Sequence, residues 1–132
     1  MSGKPGIGAG GGRSLKLLIV DDSNIMRRRI ERSQQFEELQ VVGTAANGIE
    51  ALEMFHKTDP DMVTMDLTMP QMDGIECISK LVQLKPAVRI LVISALADKA
   101  TAVEAMERGA NGFLNKPFTD RQLNEAIAEL MS

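Results

Sequence analysis

Leu15-Lys16-Leu17-Leu18-Ile19-Val20-Asp21-Asp22 and Met62-Val63-Thr64-Met65-Asp66 are two short apolar runs, and each ends in acid. Runs of this length, rich in Val, Ile, Leu and Met, fit strands buried on both faces of a parallel sheet. In open α/β sheets, ligands collect just beyond the carboxyl ends of the strands. Two such strands would deliver Asp21, Asp22 and Asp66 to one rim. Crowded carboxylates repel one another unless a cation sits among them, so a divalent-metal site is the first functional inference.

Working outward from these runs, strand-like and helix-like segments alternate. Strands are expected near 15–20, 40–45, 61–66, 89–94 and 112–116, and helices near 23–35, 48–57, 74–83, 98–108 and 120–131. Three helix starts carry capping-box pairs: Asn47 with Glu50, Asp73 with Glu76, and Thr119 with Gln122. Gly109 stands where the fourth helix should stop. Five βα units imply a doubly wound α/β sandwich, because right-handed crossovers place helices on both faces of the sheet. The expected strand order is 2-1-3-4-5.

Residues 1–14 hold six of the eleven glycines and are expected to form a disordered tail, leaving 15–132 as one domain. That tail precedes the first strand, whereas a glycine-rich phosphate loop must follow a strand and open a helix. At 132 residues the chain can bury a core without staples. Its net charge of −3, with no Trp or Tyr, argues against nucleic-acid binding. One cysteine, Cys77, excludes an internal disulfide and a multi-cysteine zinc site. No apolar stretch reaches the ~18 residues a membrane span needs. A cytoplasmic domain without membrane insertion is expected.

The remaining strand ends add polar groups to the same rim. Strand 4 ends Val92-Ile93-Ser94-Ala95, and strand 5 ends Leu114-Asn115-Lys116-Pro117. Three acids, one hydroxyl and one ammonium belong together if a phosphoryl dianion arrives with a hard cation. Mg²⁺ takes oxygen ligands, keeps several waters and needs only one or two protein carboxylates. Lysine supplies a point charge to a phosphate oxygen, and an aspartate can serve as nucleophile, giving an aspartyl phosphate.

Here the chain closely resembles the receiver domain of bacterial response regulators, in particular the single-domain, CheY-like chemotaxis type. The matching pieces are Leu18-Ile19-Val20-Asp21-Asp22-Ser23, Met65-Asp66-Leu67-Thr68-Met69-Pro70-Gln71-Met72-Asp73-Gly74, Ser94-Ala95 and Lys116-Pro117-Phe118. Met26 and the arginines after it also look like the first helix of chemotaxis receivers. The resemblance covers residues 15–131 and implies a flavodoxin-like fold, so the strand order is not an independent deduction. It further implies that Asp66 is the phosphoacceptor, that Asp22 binds Mg²⁺ directly, and that Asp21 does so largely through water. Asp66 itself and the Thr68 backbone carbonyl would complete the metal ligands. Ser94 would be the switch hydroxyl, Lys116 would pair with a phosphoryl oxygen, and the Lys116–Pro117 bond would be cis. Phe113 matches the aromatic switch position. Motor-binding members generally carry tyrosine there, whose hydroxyl this chain lacks. Ser94 stands where threonine is commoner.

The implied function is a phosphorylation-activated response regulator of a two-component or chemotaxis system. A sensor histidine kinase would be the donor, a downstream protein the target, and the chain a monomer. It would not be an enzyme beyond catalysing its own phosphorylation and dephosphorylation. A phosphorelay intermediate or a phosphate sink are the alternatives of the same kind. A haloacid-dehalogenase-like phosphohydrolase would need a second acid two residues after the nucleophile, where Thr68 stands. A flavodoxin-like electron carrier would need a Ser/Thr/Gly-rich loop after strand 1 and aromatics for the flavin. A DNA-binding regulator would append an output domain, and the sequence stops at residue 132.

Plainer readings attach to other residues. His56 is expected on the surface, and Cys77 as a buried small hydrophobe. Arg27, Arg28 and Arg29 are expected to form a solvated basic face. Met62, Met65 and Met106 are expected in the core, with Met69 and Met72 exposed beside Asp66.

Overall fold

β3 (Met62–Met65) is buried at every residue, and the rest of the domain is arranged around it. The computed structural model describes residues 14–96 and 98–132. In chain order these form β1 (Leu15–Val20), α1 (Asn24–Ser33), β2 (Leu39–Ala45), α2 (Gly48–Thr58), β3, α3 (Gly74–Leu84), β4 (Arg89–Ser94), α4 (Lys99–Glu107), β5 (Gly112–Asn115) and α5 (Asp120–Met131). The strands pair in parallel, in the order β2-β1-β3-β4-β5. This is the expected flavodoxin-like doubly wound sandwich. The tail expected over 1–14 lies, apart from Ser14, outside the described residues.

Alternate residues of a central strand point to opposite faces, so a strand covered on both sides must be apolar throughout. Leu18, Val20, Val63, Met65, Ile90 and Val92 face Phe55, Cys77, Ile78 and Leu81 of α2 and α3. Leu17, Ile19, Met62, Leu91 and Ile93 face Ile30, Leu123 and Ile127 of α1 and α5. Burial pushes the Cys77 thiol up to about 12, which leaves it an inert core hydrophobe.

Several local expectations need correction. α1 ends at Ser33, because Gln34 turns to extended backbone (φ −69, ψ 140) while its N–H still caps Ile30 O. The reciprocal capping box forms only at α5, between Thr119 and Gln122. At α2, Asn47 accepts from Glu50 N, but Glu50 Oε1 accepts from Ala46 N, one residue earlier than the box requires. At α3 only the Asp73 half is made. Met106 is 44% exposed rather than core, because α4 buries little more than Ala105. Met69 and Met72 are half-buried against the α2–α3 side of the core rather than exposed.

Two glycines are required. Gly109 follows α4 with φ +118, a left-handed conformation that closes a helix and disfavours side chains. Gly74 opens α3 directly against the chain that carries Asp66. A Cβ there would lie 2.3 Å from the Asp66 carbonyl oxygen and 2.7 Å from Leu67 Cα. Both contacts are backbone and cannot swing aside. Gly74→Ala should therefore lower stability by about 1–3 kcal/mol or more in urea unfolding followed by circular dichroism. An unchanged midpoint would mean that α3 does not rest on the Asp66 backbone as described.

Candidate functional site

The sheet ladders run one residue past the ends of β1 and β3, and this extension places the acids. Asp21 N donates to Ala45 O at 3.0 Å, and Asp66 N donates to Val20 O at 2.9 Å. Lys116 N likewise donates to Ser94 O at 2.9 Å, carrying the β4–β5 ladder to the same edge. Backbone pairing of consecutive strands thus fixes where each side chain begins.

The side chains then converge. Asp21, Asp22 and Asp66 each offer a carboxylate oxygen within 4.8 Å of the other two. Asp21 and Asp66 are buried, whereas Asp22 is exposed at the mouth. Lys116 Nζ bonds Asp21 Oδ2 at 2.8 Å and stands 3.7 Å from Asp66 Oδ1. Asp21 Oδ1 accepts from Ser23 N at 2.9 Å, and Ser23 also caps α1 by accepting from Met26 N. The buried Asp21 is therefore paired on both oxygens, while Asp66 Oδ1 has no hydrogen-bond partner.

That difference appears in the ionisation of Asp66. Its carboxyl is pushed up to about 6, first by burial and next by the nearby Asp21 charge; Lys116 and the Thr68 backbone amide act in the opposite sense. One lysine does not balance three carboxylates. The donor set is all oxygen, two of the acids are buried, and one buried oxygen is unpaired. These residues fit a small hard divalent cation.

The other expected residues sit close by but are not all brought into contact with Asp66. Thr68 is exposed in the loop between β3 and α3, its backbone amide directed at the Asp66 carboxylate. Ser94 is buried at the end of β4, and its hydroxyl accepts from Leu96 N at 3.0 Å rather than bonding Asp66. Phe113 pairs with Val92, two residues before Ser94, and is half-buried against the α2–α3 side of the core. The Lys116–Pro117 peptide is cis.

Two arginines expected to be solvated instead hold the rim together. Arg27 Nη1 donates to Asp21 O at 2.6 Å. Arg29 donates to Phe118 O and lies over the Phe118 ring, 4.4 Å from its centroid. Only Arg28 is free to face solvent as expected. The available signal was spacing, since Arg27 lies one helical turn before the buried Ile30. His56 is exposed, as expected.

Fold and site together define a flavodoxin-like signalling domain with an acidic carboxyl edge closed by a lysine. The chain belongs to the response regulator receiver domain family, which residues 17–128 match. It is homologous to CheY, a phosphorylation-activated response regulator of chemotaxis two-component systems. The chemotaxis protein CheY of Listeria monocytogenes is 38% identical over 113 residues, covering 86% of this chain and 95% of that protein. A protein-glutamate methylesterase/protein-glutamine glutaminase of Pseudoalteromonas atlantica is 46% identical over 123 residues, but the match covers only 32% of that longer protein. Among solved structures, the CheX–CheY–BeF3–Mg complex of Borrelia burgdorferi contains a chain with a TM-score of 0.85 and 31% identity, covering 92% of each chain. Among the described residues, no helix is long and apolar enough to cross a membrane.

The raised Asp66 pKa has a consequence for stability. The folded state holds this proton more tightly than the unfolded chain does. Stability is therefore undiminished below the ordinary carboxylate range and falls as pH rises through about 6. Above that pH the ionised group is a standing penalty. Without added metal, Asp66→Asn should raise stability by roughly 1–3 kcal/mol at pH 7.5 and by much less at pH 4. Urea unfolding at the two pH values measures this, and equal gains at both would contradict it.

Proposed function

We propose that Asp66 is the phosphoacceptor of this receiver and that Asp21, Asp22, Thr68, Ser94 and Lys116 serve the transfer. The observation that carries the reading is the unpaired, buried Asp66 Oδ1, beside a lysine and within reach of two further carboxylates. A sensor histidine kinase presents phosphohistidine, and an Asp66 carboxylate oxygen attacks phosphorus. The N–P bond breaks, its electron pair stays on the imidazole nitrogen, and that nitrogen takes up a proton. Asp66 becomes an acyl phosphate, which water later hydrolyses to carboxylate and inorganic phosphate.

Asp22, at the exposed mouth, Asp66 and the Thr68 carbonyl would hold Mg²⁺, with Asp21 contributing largely through water. When bound, Mg²⁺ supplies positive charge against the phosphoryl oxygens. Lys116 sits between Asp21 and Asp66 and pairs with a phosphoryl oxygen. The chain catalyses its own modification by positioning and charge, which is most of what phosphoryl transfer needs.

Ser94 then exchanges its bond to Leu96 N for the phosphoryl group, and Phe113 turns inward on the same face of the sheet. The β4–α4–β5–α5 face shifts between two packings, a change that a few kcal/mol of differential stabilisation can drive. Leu96, Val103 and Met106 are 39%, 46% and 44% exposed on this side and offer apolar contact to a downstream protein. The Borrelia relative, solved with CheX, BeF3 and Mg, supports a protein partner for the activated state. The working unit spans 15–132 and acts as a cytoplasmic monomer.

Incubation with acetyl phosphate and Mg²⁺ should add one phosphoryl group to the wild type and none to Asp66→Asn, as read by intact mass. Lys116→Ala should fold but lose most of the partner response. Phosphate retained on Asp66→Asn would overturn the assignment.

A further inference from the structure

Among the described residues, two buried side-chain oxygens have no hydrogen-bond partner, and both lie on β3 or its one-residue extension. They are Thr64 Oγ1 and Asp66 Oδ1, on residues 1% and 2% exposed. Residues two apart on a strand point to the same face, separated by roughly 6.5–7 Å along it. The cross-strand neighbours of Thr64 are Ile19 on β1 and Leu91 on β4, both apolar. One level higher the surroundings change. Val20 pairs with Met65, so Asp21 stands level with Asp66, and Lys116 reaches both.

The Thr64 hydroxyl thus sits at the seam between the apolar interior and the floor of the acidic site. Valine would fill the same space beside Ile19 and Leu91 without burying a hydroxyl. A buried hydroxyl that bonds nothing is destabilising, and internal waters typically satisfy such groups when other polar atoms lie near. Two residues further along this face stands Asp66, whose Oδ1 is likewise buried and unpaired.

We propose that Thr64 is a positioning residue for Asp66. Its hydroxyl donates to one internal water, which donates in turn to Asp66 Oδ1. One oxygen of the carboxylate is thereby held in place, which orients the group. This inference rests on Asp66 being the phosphoacceptor. It assigns the site a floor as well as the rim already described.

The test compares wild type, Thr64→Val, Thr64→Ala and Thr64→Ser, with acetyl phosphate and Mg²⁺ as the probe. Initial phosphorylation rates are set beside urea unfolding curves for each protein. Both hydroxyl-free variants should be phosphorylated roughly three- to tenfold more slowly. Thr64→Ser should stay near the wild-type rate, and Thr64→Val, which keeps the side-chain volume, should still unfold cooperatively. A slower Thr64→Val that still unfolds as one cooperative unit separates positioning from loss of the fold. Hydroxyl-free variants that react at the wild-type rate, or a Thr64→Ser as slow as they are, would overturn the positioning role alone. A wild type that takes no phosphate would overturn the Asp66 assignment and this inference together.

Discussion

Like charge held at close range is the constraint on which the carboxyl edge of this domain is built. Three carboxylates lie within 4.8 Å of one another, and two are nearly removed from water. In bulk water such crowding is mild, but burial makes it strong. The protein answers part of it with Lys116, bonded to Asp21 at 2.8 Å, and with the Ser23 amide on the other Asp21 oxygen. Asp66 has only the longer 3.7 Å approach of Lys116, and burial first, with the Asp21 charge second, pushes its carboxyl up to about 6. A site so arranged gains most from incoming positive charge.

The rest of the structure supplies the rigidity this arrangement needs. β3 is covered on both faces, with β1 and β4 on either side. Gly74 lets α3 rest on the Asp66 backbone, while Arg27 and Arg29 tie α1 to Asp21 and to the turn after Lys116. α4 is the exception, burying little beyond Ala105. A stiff site beside a weakly packed helix suits a receiver, in which a small change at the site must alter a distant face.

Much of this was legible in the chain because strands buried on both faces leave an unambiguous mark. LLIV before Asp21 and MVTM before Asp66 admit no amphipathic alternative, and the acids after them fall where parallel strands end. The helix caps were less legible, since a capping box depends on which amide a flexible glutamate reaches. Glu50 reaches Ala46, and Glu76 makes no return bond to Asp73. Met106 was misplaced because α4 lacks a clear apolar stripe, so periodicity could not say which side faces inward. The arginines were missed for a related reason. Long side chains on one helix reached carbonyls of other segments, and only the fold brings those segments near. Thr64 was visible as one hydroxyl in an apolar run, but its relation to Asp66 required the register of three strands.

Calorimetric titration of Mg²⁺ into the unphosphorylated protein near pH 6 tests the electrostatic core of this account most directly. One ion should bind per chain, with proton release as Asp66 is driven to its ionised form, and binding should be lost in a folded Asp22→Asn variant. Absence of saturable binding, or binding untouched by removal of the Asp22 charge, would mean that these carboxylates are not gathered to share a cation.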